Sequence, residues 1–468
     1  MFKYFLCWRY LQTRYIALAS VVSVMLGVAT MIVVNSVMAG FAEKMQTRLH
    51  GVLSDVIVES MDMDGFSDHE EVRARIDEVA GRKIKAMAAT METVGVMKFE
   101  IGGGQPISRP VQIIGIKPLE RAGTGDFAEF LVDDKGKSIE PNFKVSEEFR
   151  MAHSPAGMVL MDEPDDELFA NDLREQAREQ VPDFGAIVGY ALASIRPPGS
   201  DKDLIILPPG SKINLVFPAS GNKPKPGYDS YPVLGYFKCG MSEYDSQHVY
   251  VPLEQLQYMR LLGDGKGNGT VNQIQIKAMP GADLDELSMT IQVALERLRP
   301  GYFRVSTWEQ KQGPLLAAVA VEQGILNLLL FFIIAVAGFG ILAIFSMIVV
   351  EKTRDIGVMK ALGASTAGVR QIFLFYGLLL GAVGSGVGMV GGLLFVRYIN
   401  PIEGLLSKVM GRKVFDDSIY YFNEIPTLVR YPTVLWIVGG AMFIAVAASV
   451  WPAQRAAKLH PVQALRFE

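Results

Sequence analysis

The sequence has few of the residues on which enzyme and metal chemistry usually depends. It contains two cysteines, Cys7 and Cys239, and five histidines that lie singly, with no HExxH motif. Neither a metal site nor a catalytic triad is supported, so we interpret the chain as non-catalytic. A predicted membrane span separates the two cysteines, and we therefore expect no internal disulfide.

Nucleotide-binding signatures are also missing. Gly136-Lys137-Ser138 resembles the end of a P-loop, but the glycine required five residues earlier is replaced by Leu131. The run from Gly386 to Gly391 matches GxGxxG, yet it lies inside an apolar stretch with no preceding strand. A net charge of −4 provides no basic stripe for phosphates, which argues against a nucleic-acid partner. We expect no cofactor in this chain.

Charge is absent from four long windows, and these windows define the class of protein. A helix of roughly 20 apolar residues crosses a bilayer, and each window is at least that long. The four windows are bounded by Arg14 and Glu43, Glu322 and Glu351, Arg370 and Arg397, and Arg430 and Arg455. They predict a membrane protein with four transmembrane α-helices and a large extracytoplasmic α/β (α+β) domain inserted between helices 1 and 2.

The first window resembles a cleavable signal, because basic residues precede it and Val37-Met38-Ala39, near its end, resembles a small-residue cleavage site. An uncleaved anchor explains it better, since its apolar region exceeds the 7–15 residues typical of signals. Basic residues flank the predicted cytoplasmic ends: Lys3, Arg9 and Arg14; Lys352, Arg354, Lys360 and Arg370; Arg455, Lys458 and Arg466. The positive-inside rule then predicts a multi-pass membrane protein with both termini cytoplasmic and the large domain outside the cytoplasm.

These boundaries divide the chain into eight segments. They are 1–41 (N-terminus and first span), 42–322 (extracytoplasmic domain), 323–350 (second span), 351–370 (cytoplasmic helical segment), 371–397 (third span), 398–430 (extracytoplasmic loop), 431–454 (fourth span) and 455–468 (cytoplasmic tail). The large domain is expected to have two subdomains with their own cores. Its acidic stretch at about 118–183 lacks periodicity, so we predict an insertion or a mobile excursion there.

Short β-branched runs alternate with amphipathic stretches in the large domain. Strands are predicted at 55–59, 92–101, 110–116, 213–217, 231–238, 248–251 and 271–276, and helices at 69–79, 253–262 and 283–298.

Glycines recur along the third span at mostly four-residue spacing. They are Gly377, Gly381, Gly384, Gly388 and Gly392. In lipid, small residues at this spacing let helices approach closely, so we predict a packing face. Packing within one chain and packing between subunits both remain open.

The segment after the second span carries a short amphipathic helix. Ile356, Met359 and Leu362 fall on one stripe, while Lys352, Arg354 and Lys360 remain available to water, lipid headgroups or a partner. Gly363 is predicted to end this helix and Ser365 to cap the next. From periodicity alone, an interfacial helix that merely orients the chain is the alternative.

A family resemblance begins with this segment. Its sequence Glu351-Lys352-Thr353-Arg354-Asp355-Ile356-Gly357-Val358-Met359-Lys360-Ala361-Leu362-Gly363-Ala364-Ser365 resembles the coupling-helix signature of the MacB/FtsX-type (type VII) ABC permease superfamily. Segments 235–246 (GYFKCGMSEYDS), 115–118 (GIKP), 452–457 and 461–468 are similar to motifs of the lipoprotein-releasing LolC/LolE branch. The resemblance covers both ends and scattered parts of the middle.

The resemblance implies a mechanotransmitting permease subunit. Its expected partners are a cytoplasmic ABC ATPase dimer that binds ATP and Mg, a second permease copy or paralogue, membrane lipids, acylated lipoprotein cargo and a LolA-like periplasmic chaperone. The coupling contacts fall on Glu351, Lys352, Arg354, Asp355, Ile356, Gly357, Met359, Lys360, Leu362 and Gly363. Lipoprotein release is the leading function; the alternatives are a MacB-like efflux permease and an FtsX-like regulator of a periplasmic cell-wall hydrolase.

A hairpin at 221–230 lies where LolC carries its chaperone-docking hook, although no residue motif matches there. Lys223, Pro224, Lys225 and Pro226 are the candidate docking residues. The alternative is an ordinary exposed Pro/Gly turn with solvated lysines.

Overall fold

The structure is a computed structural model that describes residues 15–62, 64–101, 104–154, 181–197, 203–220, 226–263, 269–410 and 424–459. The described residues fall into two compact units. Residues 15–45, 315–410 and 424–459 form the membrane unit, and the described residues between 46 and 314 form the α/β domain. Each unit is described by itself.

Four helices of the membrane unit are long and apolar enough to span a bilayer. They are α1 (Tyr15–Val52), α10 (Gly313–Glu351), α12 (Thr366–Arg397) and α14 (Tyr431–Lys458). Their buried faces share one apolar cluster that includes Val28, Ile32, Ile341, Phe345 and Leu380. Two shorter helices join them: α11 (Thr353–Ala361) and α13 (Ile399–Met410).

Two of the long helices extend beyond the charge-free windows. The helix α1 continues to Val52 and α10 begins at Gly313, whereas the sequence placed the domain boundaries at 42 and 322. Charged residues such as Glu43 and Glu322 end a run suited to lipid, but they are good helix formers and do not end a helix. The segment 398–430, interpreted as a loop, contains α13.

The α/β domain is built on a ten-stranded sheet. Its strands are β1 (Val56–Ser60), β2 (Ile84–Ile101), β3 (Gln105–Ile116), β4 (Leu131–Val132), β5 (Ala186–Gly189), β8 (Lys212–Pro218), β9 (Pro226–Phe237), β10 (His248–Pro252), β11 (Gln273–Ala278) and β12 (Phe303–Thr307), while β6 (Ser194–Ile195) and β7 (Leu204–Ile205) pair separately. The order is β12-β1-β11-β2-β3-β10-β5-β9-β4, and β8 pairs with both β2 and β9. The strands β2, β3, β10, β5, β9 and β8 therefore close into a ring.

Helices cover the sheet and connect its strands. In chain order they are α2 (His69–Ala80), α3 (Pro118–Thr124), α4 (Glu147–His153), α5 (Tyr190–Ala193), α6 (Ser242–Asp245), α7 (Leu253–Met259), α8 (Leu284–Leu298) and α9 (Trp308–Lys311). All seven predicted strands and all three predicted helices are confirmed, with shifted ends; the largest shift is at β2, which starts at Ile84 instead of residue 92.

One cluster of buried apolar side chains runs through most of the sheet, while Phe127, Phe237 and Tyr250 are buried outside it. The cluster extends this far because β2 has 18 residues. Its first half buries Ala89 and Met91, and its second half buries Met97 and Phe99, in the same cluster. One strand thus links the open part of the sheet to the closed ring.

The acidic stretch from 118 is also corrected where the structure describes it. Residues 118–154 contain α3, a 3-10 turn (Phe127–Phe130), β4 and α4. Phe127, Leu131 and Phe143 are buried, because this segment packs on the β9 edge of the sheet. The most acidic part, 162–167, lies outside the described residues.

Candidate coupling site and helix roots

The predicted coupling helix is α11, which has one buried face and one exposed face. Thr353, Ile356 and Gly357 are buried, and Ile356 is only 1% exposed. Arg354, Asp355 and Val358 lie on the exposed face. The Lys352 ammonium is 2.7 Å from the Asp355 carboxylate, one turn along the helix. The buried face fixes α11 to the membrane unit and leaves its other face accessible to a partner.

The end of α11 is set by Gly363. Its φ of +93° lies in the left-handed region that favours glycine. The Gly363 N–H donates to the Lys360 carbonyl, and the Ala364 N–H donates to the Met359 carbonyl, which is the Schellman pattern. Ser365 then caps α12 by accepting from the Gly368 N–H at 3.1 Å. The predicted helix end at Gly363 and the predicted cap at Ser365 are both confirmed, and α11 occupies only part of the segment 351–370.

Leu362 departs from the predicted stripe. Ile356 is buried and Met359 packs against the apolar cluster, but Leu362 is 84% exposed. Each three-residue step falls about 60° short of a full helical turn, so two steps carry Leu362 from the side of Ile356 to the side of the exposed Asp355 and Val358. The placement of Leu362 on the buried stripe is wrong, and its side chain extends beside the exposed face.

The Lys360 ammonium is bonded within the chain, whereas the sequence left it available to water, lipid headgroups or a partner. Its ammonium donates to the carbonyls of Ala457 at 2.7 Å and Leu459 at 2.8 Å, at the end of α14. Carbonyls in the last turn of a helix lack intrahelical partners and carry partial negative charge, so a lysine satisfies and stabilises them. This contact could not be predicted from the sequence, because Lys360 and its acceptors are about 100 residues apart. The coupling helix is thus bonded directly to the fourth span.

The glycines of α12 pack against two different helices of the same chain. A Cβ on Gly377 would lie 2.5 Å from Ser449 Oγ, and one on Gly381 would lie 2.8 Å from the Ala445 Cβ, both on α14. As the residue number rises along α12, the residue number of the contacting position on α14 falls, so the two helices are antiparallel. Glycine is required here because any larger residue would displace α14.

The second half of α12 packs on α1. A Cβ on Gly384 would lie 2.9 Å from the Val24 Cβ, and one on Gly388 would lie 2.6 Å from the Met25 carbonyl oxygen. Gly392 likewise approaches Ala29. The residue numbers of the contacting positions rise together along α12 and α1, so the two helices run parallel. All five predicted packing glycines therefore contact helices of their own chain.

The end of α1 is capped inside the α/β domain by residues of the acidic stretch. The Asp126 N–H donates to the Gly51 carbonyl at 2.9 Å, and the guanidinium of Arg121 donates to the Val52 carbonyl. Arg121 also donates to Ser54 Oγ at 3.2 Å and to Thr124 Oγ1 at 3.1 Å, and it is 5% exposed. Burial lowers the pKa of Arg121, while the charge of Glu92 acts in the opposite direction. A buried cation thus satisfies the helix terminus.

The GYFKCGMSEYDS segment forms a second contact with α1. The Asp245 carboxylate accepts from the backbone N–H groups of Cys239 at 2.9 Å and Gly240 at 3.0 Å. This arrangement presents the Gly240 carbonyl to the guanidinium of Arg48, which donates to it. Burial raises the pKa of Asp245 to about 6, although its hydrogen bonds oppose the shift. The segment therefore serves as a bracket for the helix end.

The start of α10 is fixed beside the end of α1 within the domain. Thr307 and Gln310 form a capping box at α9, and the Gln312 amide donates to the Tyr244 hydroxyl at 3.0 Å. The Trp308 indole stacks on the His50 ring, with centroids 5.0 Å apart. We call these two termini, residues 46–55 and 307–314, the helix roots.

Asp55 connects the two roots. Its carboxylate lies 2.5 Å from His50 Nε2 and 2.9 Å from Lys277 Nζ, and its carbonyl accepts from the Trp308 N–H. Burial alone would raise the pKa of Asp55, but hydrogen bonds from His50 and Lys277 outweigh it and lower the pKa. An ionised Asp55 thus holds both roots to the sheet.

A polar cavity of about 150 Å³ lies between the roots and the sheet. Its walls include Glu92, Gln112, Arg121, His248, Tyr250, Gln273, Gln275 and Gln312. Burial raises the pKa of Glu92 and lowers the pKa of His248 to about 4. Among the described residues, no group of three or more His, Cys, Asp or Glu is placed to hold a metal ion. The sequence missed this cavity because its residues come from distant strands.

The candidate docking hairpin is only partly visible. Lys223, Pro224 and Lys225 lie outside the described residues. Pro226 is the first residue of β9, where it pairs with Pro218 of β8. The strand therefore begins earlier than the 231 that the sequence suggested, and the connection between β8 and β9 is shorter.

Comparisons with known proteins point to one superfamily. Residues 327–461 match the family described as FtsX-like permease C-terminal. The lipoprotein-releasing system transmembrane protein LolC of Xylella fastidiosa (strain 9a5c) is 23% identical over 468 residues, which cover 98% of this chain and 97% of the relative. LolE of Haemophilus influenzae is 30% identical over 166 residues, 36% of this chain and 40% of the relative.

A more distant relative is the macrolide export ATP-binding/permease protein MacB of Bdellovibrio bacteriovorus, which is 28% identical over 47% of this chain and 31% of that protein. The solved periplasmic region of MacB from Actinobacillus actinomycetemcomitans covers 57% of this chain at 11% identity, with a TM-score of 0.26, too low to support the fold assignment. The four spans and the near full-length relatives indicate a multi-pass inner-membrane protein. The chain carries an FtsX-like permease domain and is similar over nearly its whole length to LolC, a likeness shared with the MacB/FtsX-type (type VII) ABC transporter permeases.

Proposed function

We propose that this permease releases acylated lipoproteins from the inner membrane to a periplasmic chaperone. ATP binding and hydrolysis occur in a separate cytoplasmic ATPase dimer, and a second permease copy or paralogue completes the assembly. Both termini and α11 face the cytoplasm, and the α/β domain faces the periplasm. The near full-length likeness to LolC supports this cargo class.

One structural observation carries the mechanical part of the proposal. The helices α1 and α10 continue without a break beyond their apolar windows, and their ends are bonded within the α/β domain. Residues of the domain cap the end of α1, and the capping box and Gln312 fix the start of α10. We therefore assign to these two helices the transfer of a displacement from the membrane unit to the sheet.

The membrane unit has a surface on which the ATPase would act. The exposed face of α11, with Arg354, Asp355 and Val358, is the surface we assign to the ATPase. Its buried face is anchored by Ile356, and Lys360 bonds it to α14. Force on α11 then reaches α14 directly and reaches α12 through the short turn at Gly363. The helix α12 contacts α1 along its glycines, which completes a path between the spans.

Energy is needed because the cargo is anchored by acyl chains. Each buried CH₂ group contributes about 0.8 kcal/mol to membrane binding, so withdrawing several chains requires tens of kcal/mol of work or an apolar receiver. A chaperone with an apolar cavity provides the receiver, and ATP hydrolysis drives the conformational cycle. The hairpin at 223–226 is our candidate for chaperone docking. Unchanged capture of the chaperone by a Lys223→Glu, Lys225→Glu variant would remove this role.

The test is reconstitution of the permease with its native ATPase in liposomes that contain an acylated lipoprotein. We expect ATP-dependent appearance of the lipoprotein in the soluble fraction, bound to the added chaperone. An ATPase variant that binds but does not hydrolyse ATP is the control for energy use, and a lipoprotein without its acyl chains is the control for cargo class.

Other outcomes correspond to other functions. ATP-dependent movement of a small molecule or peptide, with no lipoprotein release, would support efflux, in keeping with the MacB relative. Activation of a periplasmic cell-wall hydrolase without transport would support a regulator, in keeping with the FtsX-like domain. Either result would reject lipoprotein release.

A further inference from the structure

The helix α13 is amphipathic, and its apolar side is not covered within the described chain. Its apolar side chains occupy one arc of the helix, at Ile399, Ile402, Leu405, Leu406, Val409 and Met410. Leu405 is 66% exposed and Val409 is 78% exposed, and no residue of α13 is buried. Asn400, Glu403, Gly404 and Ser407 occupy the opposite arc. An amphipathic helix of this kind is stable only at a boundary between an apolar and a polar phase.

The position of α13 along the chain identifies that boundary. It begins two residues after Arg397, the last residue of the span α12, and its exposed neighbour Tyr398 is typical of the membrane–water interface. Tyr431, the first residue of the span α14, is also exposed. The chain thus enters α13 directly from a span end, and the described residues after it, from 424 on, lead into the next span.

Contacts within the membrane unit show on which side of the spans α13 begins. Because α12 runs parallel to α1, its last residues lie at the same end as residues 36–40 of α1. The segment that returns to α14 is held there: the Leu428 N–H donates to the Ser36 carbonyl at 2.8 Å, and a Cβ on Gly40 would lie 2.6 Å from Thr427. The Asn400 carboxamide oxygen of α13 accepts from the Ile425 N–H of that segment at 2.9 Å. The start of α13 is thus tied at the span ends opposite α11.

We propose that α13 lies flat in the membrane interface, in the leaflet opposite the coupling helix, with its apolar arc among lipid acyl chains. At about 1.5 Å per residue its 12 residues extend about 18 Å, too short to cross about 30 Å of hydrocarbon. Lys408 is exposed beside the apolar arc, where its ammonium reaches anionic headgroups. The polar arc, where the Ser407 hydroxyl donates to Glu403 at 2.7 Å, is half-buried and lies on the side of the helix away from the acyl chains.

Depth measurements on the full chain test this assignment. Single cysteines replace Leu405 or Val409 on the apolar arc, and Gly404 or Ser407 on the polar arc, in a Cys7→Ser background; Cys239 is buried and leaves the labelling site unique. Each variant carries a bimane label and is placed in nanodiscs that contain lipids brominated or spin-labelled near the upper acyl chain. We expect lipid quenching at 405 and 409 to exceed that at 404 and 407 by at least about twofold, and aqueous iodide to show the opposite order, as for a helix embedded about 5–10 Å into the boundary.

Two results would overturn the assignment. Equal iodide quenching on both arcs would mean that α13 lies in water. Protection of 405 and 409 from both lipid quencher and iodide would mean that protein covers them, as in a second permease copy. Ile402→Cys and Met410→Cys report on the same arc if either primary variant fails to incorporate. The readout does not depend on cargo or ATP, so it stands apart from the proposed lipoprotein release.

Discussion

The spans and the helix roots hold the same helices by opposite means. In the membrane unit, α12 contacts α1 and α14 at positions where side chains are missing, such as Gly381 and Gly388. In the α/β domain, the end of α1 is held by long polar side chains, Arg121 and Arg48, and by an ionised Asp55 that reaches His50. Glycine packing is suited to helices in lipid, and polar side chains are suited to helix ends in a water-soluble domain.

The two regions differ because the spans pack in lipid, whereas the helix roots pack in a domain surrounded by water. In lipid, apolar side chains gain nothing by leaving acyl chains for one another, so close backbone approach provides the attraction. In water, a helix that ends inside a domain must satisfy its last carbonyls, and a buried cation does this at the terminus where the dipole favours it. Small residues therefore hold the spans, and charge-assisted hydrogen bonds hold the roots. The following predictions break one side of this contrast at a time.

The largest expected effect is at the root. Replacing Arg121 with Met removes the donors to the Val52 carbonyl, Ser54 and Thr124 while keeping much of the side-chain volume. We expect a loss of about 3 kcal/mol in the free energy of unfolding of the domain, because buried acceptors lose their partners. Denaturant titration monitored by Trp fluorescence measures it. Arg297→Met, at an exposed position of α8, is the control and should change stability little; equal stability of the two variants would contradict the capping role of Arg121.

The next effect is between the spans. Gly388→Ala would bring a Cβ to 2.6 Å from the Met25 carbonyl oxygen, a backbone atom that cannot rotate away. We expect a loss of about 2 kcal/mol, in the range for overpacking, and a lower thermal midpoint in detergent. Gly386→Ala is the matched control, since nothing lies within 4 Å of its Cβ. Because alanine favours helix over glycine, that control should be neutral or slightly stabilising. Equal destabilisation by both changes would argue against close packing on α1.

A smaller effect concerns pH and two buried groups of the domain with opposite shifts. The pKa of Asp245 is about 6 against an ordinary 3.8, so the unfolded chain releases this proton first and stability falls as pH rises from about 4 to 6. The pKa of His248 is about 4 against 6.5, so the unfolded chain binds this proton first and stability falls as pH drops from about 6.5 to 4. The two contributions offset each other in the wild type.

Asp245→Asn removes the first contribution and leaves the second. Between pH 6.5 and 4.5 we expect this variant to lose about 1–2 kcal/mol more than the wild type. His248→Gln should show the opposite, becoming more stable than the wild type, relative to its value at pH 6.5, as pH falls. Thermal midpoints measured across this range decide the matter, and parallel pH profiles for all three proteins would contradict it.

The smallest effect on stability is at the coupling helix, although its functional effect is expected to be larger. Lys360→Met removes the bonds to the Ala457 and Leu459 carbonyls at a partly exposed site, which should cost about 1 kcal/mol or less. We expect ATP hydrolysis to continue while lipoprotein released per ATP falls severalfold, since α11 no longer holds α14. Lys458→Met, on the same last turn of α14, is the control. Unchanged release per ATP in the Lys360 variant would show that this bond transmits nothing.

The sequence predicts features that depend on a few neighbouring residues, but not contacts between residues that are distant along the chain. Local signals worked: Gly363 and Ser365 define a helix end and the next helix start within three residues. The partner of Lys360 could not be predicted, because it depends on the packing of two helices distant in sequence. The same holds for Arg121, whose acidic surroundings suggested an insertion although its guanidinium caps α1.

Misplaced boundaries have a related cause. Apolar windows report where lipid begins and ends, and they gave limits near 41 and 323, but helix propensity carries α1 to Val52 and α10 back to Gly313. The amphipathic spacing of α13 was present in the sequence, yet it was hidden within a segment that had been interpreted as a loop. Periodicity over 12 residues is informative only when a short helix is considered between two spans.

The central claim is that motion at the coupling helix reaches the α/β domain through unbroken helices. Electron–electron resonance between spin labels at Ala364→Cys, in the turn after α11, and Glu71→Cys, on the exposed side of α2, tests it directly in the ATPase-bound permease, with labelled chains diluted by unlabelled ones. The account predicts a shift of several ångströms in the distance between the labels when the ATPase is trapped with nucleotide and vanadate. Identical distance distributions in the nucleotide-free and trapped complexes, with ATP turnover intact, would contradict it.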